Sequence, residues 1–202
     1  MSESQKRRHG LEAFMASLPQ KAADKNAGVI IQIQPELASI NLRGNPQNAE
    51  FAASVASTLG QALPDTANTM TVGSNRVFWL GPNEWQIMTP AIDAPGLLAR
   101  LRDSLSGQHA CVTDVSGGLI SLQLAGPFAR DILARGCTLD LHIDKFRVGS
   151  CAQSGLAKAN VLIGLIDATP TFQIVVRRSF AEYLARWLKA AAREYGVRFT
   201  TS

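Results

Sequence analysis

The stretch that decides the fold is DVSGGLISLQLAGPFARDILARG, residues 114–136. Residues 119–125 alternate apolar and polar side chains, which predicts a strand with one buried face. Gly126-Pro127 is followed by a segment whose apolar residues recur with helical spacing and which ends at Gly136. Proline is favoured at the first position of a helix and glycine just past its end, so these residues predict a short helix. The helix should direct three apolar side chains inward: Phe128, Ile132 and Leu133.

The same strand-turn-helix unit occurs earlier in the chain. Residues 39–44 (SINLRG) match residues 121–126 (SLQLAG), and residues 79–105 match residues 161–188. The pattern of each half therefore predicts the order strand, helix, strand, strand, helix. In such a unit two helices cover one face of a sheet. We predict an α+β fold in which these duplicated halves, about residues 29–108 and 109–202, pack as one pseudo-symmetric globular domain.

Local sequence signals mark the ends of these elements. Asn45 and Gly60 are the expected N-cap and stop of the first helix, and Gly107 is the expected stop of the second. Ser179 and Glu182 have the spacing of a capping box at the start of the last helix. Three turns are also predicted: a hairpin turn at residues 81–84, a hairpin turn at residues 114–118, and a connection at residues 167–170.

Composition excludes several functional classes. The chain has 202 residues with 20 basic and 16 acidic side chains, and no stripe of basic and aromatic residues that would indicate a nucleic-acid partner. The longest largely apolar stretch, residues 159–166, is too short to span a membrane, which takes about 20 residues. Three widely spaced cysteines fit a reducing compartment better than a disulfide framework. We therefore expect a cytoplasmic protein without a membrane or nucleic-acid partner.

Residues 1–28 are predicted to form an N-terminal arm outside the globular domain of residues 29–202. Its one apolar patch has helical spacing and ends at Pro19. The arm is either a disordered tail or a segment that orders on a partner subunit, with Phe14 and Leu18 as anchors.

No convincing catalytic or metal site is visible in the sequence. The three histidines lie in different contexts, and a zinc site near Cys137 and His142 would lack the usual four ligands. Cys137 and Cys151 could act as nucleophiles only with a base in reach, and their apolar neighbours favour burial instead. His142 is expected to be a loop histidine whose ring hydrogen-bonds the backbone.

Two tryptophans and two carboxylates have alternative interpretations. Trp79 and Trp85 could stack on a planar ligand, or they could pack across the hairpin or at an interface. Asp114 and Glu84 could contact a ligand, but their positions favour turn roles. The Gly117-Gly118 turn lacks the pattern of a phosphate loop.

Six short motifs follow one another as they do in the gamma subunit of heterotetrameric sarcosine oxidase. They are WLGPNEW (79–85), TDVS (113–116), GPFARDILARGC (126–137), LDLH (139–142), GSCAQ (149–153) and RSFAE (178–182). The resemblance covers roughly residues 35–198, and residues 126–153 are its specific part. WLGPNEW alone is also similar to the folate-binding domain of glycine-cleavage T-protein and its relatives, which have a duplicated α+β body.

The resemblance implies a non-catalytic small subunit that supports assembly of a flavoenzyme. In that family the complex oxidatively demethylates sarcosine to glycine, forms hydrogen peroxide, and passes the one-carbon unit to tetrahydrofolate or releases it as formaldehyde. FAD, FMN, NAD and tetrahydrofolate are then expected on the alpha and beta subunits and zinc on the delta subunit, with no cofactor, metal or catalytic residue on this chain. The partners implied are the alpha, beta and delta subunits, with alpha as the expected direct contact.

The alternative is a free-standing folate-binding or aminomethyltransferase-like protein, for which Asp114 and Glu84 would be the residues to test. For the subunit, aromatic residues and arginines are the expected docking contacts, because both are enriched in interface hot spots. The predicted interface residues are Phe14, Leu18, Trp79, Trp85, Arg130 and Arg178.

Overall fold

A computed structural model describes residues 10–18 and 27–201 of the chain. Within these ranges it contains five α-helices, eleven strands and two short 3₁₀ helices, the latter at Ser116–Gly118 and Arg178–Phe180. The α-helices are α1 Glu12–Ala16, α2 Ala49–Leu59, α3 Ala94–Ser104, α4 Ala129–Ala134 and α5 Ala181–Ala191. The strands are β1 Val29–Ile33, β2 Leu37–Arg43, β3 Met70–Val72, β4 Arg76–Gly81, β5 Glu84–Pro90, β6 Cys111–Asp114, β7 Leu119–Ala125, β8 Cys151–Leu156, β9 Ala159–Asp167, β10 Thr171–Arg177 and β11 Val197–Thr201.

The strands form two sheets with the same internal order. One sheet runs β3-β4-β5-β2-β6 and the other runs β8-β9-β10-β7-β1-β11. In each sheet the first strand of one half pairs with the other half: β1 lies antiparallel to β7, and β6 lies antiparallel to β2. The predicted duplication is therefore visible as a repeated strand order, and the exchanged first strands link the two halves.

Helices cover the outer faces of the two sheets. The five-stranded sheet packs its apolar face against α2 and α3, around Phe51 and Trp85. The six-stranded sheet packs against α1, α4 and α5, around Phe172 and Leu184. Between the sheets lies a third apolar group, here called the inter-sheet cluster: Met70, Phe78, Met88, Cys151, Leu162 and Val175. The result is the predicted α+β fold, arranged as helices, sheet, sheet and helices.

Close approach of the two sheets requires a glycine on β9. A Cβ atom on Gly164 would lie 2.5 Å from Met70 Sδ and 2.6 Å from a ring carbon of Phe78. Both distances are shorter than real Cβ contacts, so glycine at this position permits the inter-sheet packing.

Two predicted helix caps differ from the structure. The N-cap of α2 is Asn48, whose side chain accepts hydrogen bonds from the Glu50 and Phe51 amides, whereas Asn45 bonds the Gln47 amide in the preceding loop. The capping box at Ser179 and Glu182 does not form, because a 3₁₀ turn precedes α5 and Phe180 takes the N-cap position without a side-chain bond. Gly60, at φ 70°, does end α2 as expected.

Two further local predictions are corrected. Residues 114–118 do not join a hairpin, because β6 and β7 belong to different sheets and the 3₁₀ turn carries the chain from one to the other. Phe128 does not point inward. It is 37% exposed, and its ring stacks on Tyr195 at a centroid distance of 4.2 Å.

The N-terminal segment packs on the chain's own body where it is described. Leu11 and Phe14 of α1 are buried in the core of the six-stranded sheet, and Leu18 packs against the same core. Residues 10–18 are thus not a disordered tail, because their apolar side chains pack on the core of the chain itself, and the predicted anchoring of Phe14 and Leu18 on a partner stays a prediction. The rest of the predicted arm, residues 1–9 and 19–26, lies outside the described residues.

Candidate functional site

Two of the three thiols, Cys137 and Cys151, are buried, whereas Cys111 is exposed. Cys151 is fully buried, and its Sγ donates to the carbonyl oxygen of Thr69 at 3.1 Å. Burial raises the pKa of this thiol to about 11, so the thiol is protonated at neutral pH. The Cys137 thiol is also buried and donates to Ser154 Oγ at 3.6 Å. The contacts of both sulfurs are hydroxyl or carbonyl oxygens, which offer no strong base.

His142 and the acidic residues around it do not assemble a metal site. The ring Nδ1 of His142 accepts a hydrogen bond from the Asp144 amide at 3.3 Å, which confirms the predicted loop role. No group of three or more His, Cys, Asp or Glu side chains in residues 10–18 and 27–201 could hold a metal ion. His9 lies outside these ranges.

Asp114 and Glu84 have local structural partners. Asp114 Oδ1 accepts hydrogen bonds from the amide and the hydroxyl of Ser116, and the Ser116 hydroxyl in turn accepts one from the Ser39 amide. These contacts fix the turn that crosses between the sheets. Glu84 accepts from Asn41 Nδ2 at 2.9 Å and from Arg43 Nη2 at 2.6 Å. The hydrogen bond from Arg43 is the main reason that the pKa of Glu84 is lowered.

The structure places the six predicted interface residues in very different environments. Phe14 and Trp85 are buried, at 2% and 1% exposure, and Trp85 Nε1 donates to the Pro64 carbonyl at 2.9 Å. Neither ring is exposed to a partner in this conformation. Leu18 and Trp79 are half-buried against the two helix-covered cores. Arg178 is exposed beside Gly10.

Trp79 and Trp85 face each other in the register of the β4-β5 hairpin, as the packing interpretation predicts. The ring of Trp85 also packs against Phe51, with 6.0 Å between centroids. The interface roles of all six residues stay predictions.

Arg130 organises the segment between α4 and β8. Its guanidinium donates to the carbonyl oxygen of Leu141 and, through both Nη atoms at 3.2 Å, to that of Phe146. It also lies 5.4 Å from the ring centroid of Phe172. Phe146 is buried and stacks on the same ring. The segment thus has a fixed inner side, while Ile143 and Val148 remain 62% and 54% exposed.

A polar network that the sequence reasoning missed joins the two sheets. Gln173 is fully buried on β10, and the two N–H groups of its Nε2 are shared among three acceptors: Gln34 Oε1 at 2.8 Å, Ser121 Oγ at 2.5 Å and the Leu122 carbonyl at 3.0 Å. Its Oε1 accepts from Arg76 Nη1 of the other sheet at 2.7 Å. Burial lowers the pKa of Arg76, and the nearby charge of Glu36 partly offsets that effect.

One signal in the sequence could have revealed this network. Gln173 interrupts the apolar strand FQIVV, and Ser121 takes a similar place in β7. A polar residue inside an otherwise apolar strand indicates a buried hydrogen-bond network, because an unpaired polar group there is costly. The identity of the partner, an arginine from the other sheet, was not predictable from either strand.

Comparison with solved structures first defines the class of fold. The glycine cleavage system aminomethyltransferase T from Bartonella henselae matches with a TM-score of 0.63 at 19% identity, over 87% of this chain and 48% of that chain. At this identity the likeness shows the fold alone. The chain thus has the α+β fold of about half of an aminomethyltransferase T.

More specific matches define the family. A chain of the heterotetrameric sarcosine oxidase from Corynebacterium sp. U-96 matches with a TM-score of 0.84 at 28% identity, over 95% of this chain and 97% of that chain. The sarcosine oxidase subunit gamma of Corynebacterium sp. (strain U-96) is 32% identical over 160 residues, 78% of this chain and 76% of the relative. The corresponding subunit of Arthrobacter sp is 29% identical over 177 residues, 86% of this chain and 85% of the relative.

The model of the sarcosine oxidase, gamma subunit family matches residues 43–194. This chain belongs to the sarcosine oxidase, gamma subunit family. The resemblance in the sequence is therefore confirmed, and the alternative of a free-standing folate-binding or aminomethyltransferase-like protein is not favoured. None of the described helices is both long and apolar enough to cross a membrane.

Proposed function

We propose that this chain is a non-catalytic gamma subunit that supports assembly of a heterotetrameric sarcosine oxidase. The observation that carries the proposal is the match, over nearly the full length of both chains, to a chain of the heterotetrameric enzyme from Corynebacterium sp. U-96. The complex would be an oxidoreductase that demethylates sarcosine to glycine, with hydrogen peroxide and either 5,10-methylenetetrahydrofolate or formaldehyde as the other products.

The chemistry of the described side chains supports a non-catalytic role. The two buried thiols are bonded to oxygen acceptors, and Asp114 and Glu84 are engaged in turn and strand contacts. The proposal accordingly places FAD, FMN, NAD, zinc and tetrahydrofolate on the other subunits. It also places the complex in the cytoplasm and takes the alpha subunit as the direct contact of this chain.

The test is co-expression of a tagged full-length chain with the alpha, beta and delta subunits from the same source. We expect all four subunits to co-purify in equal amounts, with the visible absorbance of flavin and with sarcosine-dependent formation of hydrogen peroxide. Omitting this chain should lower the yield of assembled flavoprotein. Purification of the chain without any flavoprotein would refute the proposal, and micromolar tetrahydrofolate binding by the chain alone would support the alternative.

A further inference from the structure

A cleft of about 490 Å³ opens where the two sheets diverge beyond the inter-sheet cluster. Leu80 and Gln86 line it from the five-stranded sheet, and Leu119, Leu162, Val175 and Arg177 line it from the six-stranded sheet. At one end Gln153 Nε2 of β8 donates to the Leu80 carbonyl at 3.1 Å, which joins the sheets across the cleft. The volume falls within the range of ligand sites in proteins, roughly 300–1,000 Å³.

Gln86 contributes an unused hydrogen-bond donor to this cleft. The residue is only 5% exposed, and its amide nitrogen has no hydrogen-bond partner among the described residues. A buried amide without a partner is destabilising, so native proteins rarely keep one without a reason. Because this nitrogen is enclosed, a carbonyl or carboxylate oxygen that entered the cleft could accept the missing bond after rotation of the Gln86 side chain.

Arg177 determines the charge of the cleft. It is the one charged residue among those that line the cleft, it is exposed, and in the described parts of the chain no carboxylate lies within ion-pair distance of it. A group that binds beside it should therefore be anionic. The walls at Leu80, Leu119 and Leu162 require an apolar portion as well.

The edge strand β8 favours a polypeptide over a small molecule. The backbone groups of β8 point alternately toward its neighbour β9 and away from it. The Ser150 carbonyl points toward β9 and accepts from Leu165 N, whereas Cys151 N points away from β9 and donates to Asn68 O at 2.8 Å. The backbone N–H and C=O groups of Gln153 and Gly155 therefore also point away from β9, to the outer edge of the sheet. Described residues bridge the outer edge only at its ends, at Ser150 and Leu156. A Cβ atom on Gly155 would meet no heavy atom within 4 Å, so the face of the strand is open at this residue.

We propose that this inter-sheet cleft receives an extended segment of another subunit that carries an apolar residue next to an aspartate or glutamate. The apolar side chain packs between Leu80, Leu119 and Leu162, the carboxylate pairs with Arg177, and a backbone carbonyl accepts from Gln86. The exposed edge of β8 adds main-chain hydrogen bonds, a common mode of peptide recognition. The inference rests on the proposed function, because the segment must come from a partner subunit of the assembled complex.

Site-specific crosslinking in the co-expressed complex tests whether a segment of a partner subunit lies in the inter-sheet cleft. A photoreactive p-benzoylphenylalanine at Asn160, an exposed residue in the cleft lining, should crosslink to one partner subunit at a segment with an acidic residue. The same group at Lys189, exposed on the outer helix α5, is the matched control and should give no such product. A complex that forms normally without a crosslink at position 160 would overturn the inference and leave the proposed function intact.

Two substitutions test the proposed contacts of Arg177 and Gln86 with the partner segment. Arg177→Glu should weaken binding of the chain to the remaining subunits at least about tenfold, whereas Arg186→Glu, the same charge change on α5, should have little effect. Gln86→Leu should weaken binding about threefold to tenfold while leaving the isolated chain as stable as before or more stable, since it removes an unpaired buried amide.

Arginine introduced in place of the crosslinked acidic residue should restore binding to the Arg177→Glu chain. Equal binding by the Arg177→Glu and Arg186→Glu chains would refute the charge assignment. Native mass spectrometry of the purified chain provides a further check. A small molecule bound to the wild-type chain but not to the Gln86→Leu chain would overturn the assignment of a polypeptide segment.

Discussion

Replacing Gln173 with leucine should destabilise the fold strongly, because the hydrogen bonds of both its amide oxygen and its amide nitrogen lie buried at the contact between the sheets. Its amide nitrogen has three acceptors, and its amide oxygen accepts from the Arg76 guanidinium at 2.7 Å. Leucine has a similar size, so the change removes the hydrogen bonds without a large cavity.

The magnitude follows from the groups left without partners. A hydrogen bond to a charged group contributes about 1.5–3 kcal/mol and a neutral one about 0.5–1.5 kcal/mol. The Arg76 guanidinium is only partly buried, so solvent can replace part of the bond that it loses. We therefore expect Gln173→Leu to lower the free energy of unfolding by about 2–4 kcal/mol and Tm by roughly 10 °C.

Urea denaturation, followed by tryptophan fluorescence to which the buried Trp85 contributes, measures this change. Gln123→Leu is the matched control, since Gln123 lies opposite Gln173 on β7 and is only half-buried. It should cost less than about 1 kcal/mol. The double substitution Arg76→Met with Gln173→Leu should cost about 1–3 kcal/mol less than the sum of the single changes, because no guanidinium is then left without its hydrogen-bond partner. A loss below 1 kcal/mol for Gln173→Leu, or additive effects, would refute the reasoning.

Three further predictions concern a cap, a loop and a thiol. Asn48→Ala should lower stability by about 1 kcal/mol in thermal denaturation, because α2 loses its N-cap, whereas Asn45→Ala should cost less than half as much. Arg130→Lys should speed amide hydrogen exchange in residues 137–150 about tenfold, because two backbone carbonyls lose their forked donor; unchanged exchange would contradict the anchoring role. The pKa of Cys151 is about 11 in the folded chain against an ordinary value of 9.0, so the folded state keeps a proton that the unfolded state loses, and stability should fall as pH rises from about 9 to 11. In urea denaturation across that window Cys151→Ala should decline less steeply, and an identical decline would show that another group is responsible.

Patterns within single elements were predictable because they depend on nearby residues. The alternation of apolar and polar residues in 119–125, with the glycines at 126 and 136, predicted the correct order of strand and helix. At Gly126 the backbone has φ 124°, and a Cβ atom would lie 2.5 Å from the Gly28 carbonyl oxygen, so the requirement for glycine is also tertiary. Short-range rules failed at Asn45, because Asn48 caps α2 instead, and at Ser179, because a 3₁₀ turn moves the N-cap position of α5 to Phe180.

The pairing of distant strands could not be predicted in this way. The turn at residues 114–118 has the composition of a hairpin, but its two strands join different sheets because β6 pairs with β2 and β1 pairs with β7. Burial of Phe14 and Trp85 likewise depends on which elements surround them. An aromatic residue has the same local signal in a core as at an interface, so sequence alone did not separate the two roles.

The sequence by itself determined the α+β class, the internal duplication and the motifs that identify the family, because each depends on residue type and spacing along the chain. The tertiary structure alone decided that the two halves exchange their first strands, that Arg76 and Gln173 join the sheets, and that Gln86 and Arg177 meet at one cleft. Those arrangements bring together residues that are far apart in the chain, and their stability depends on burial and on partners from another sheet. In segment 114–136 and in the rest of the chain, local sequence patterns determine the helices and strands. Packing between the two sheets determines the cleft to which we assign a partner segment.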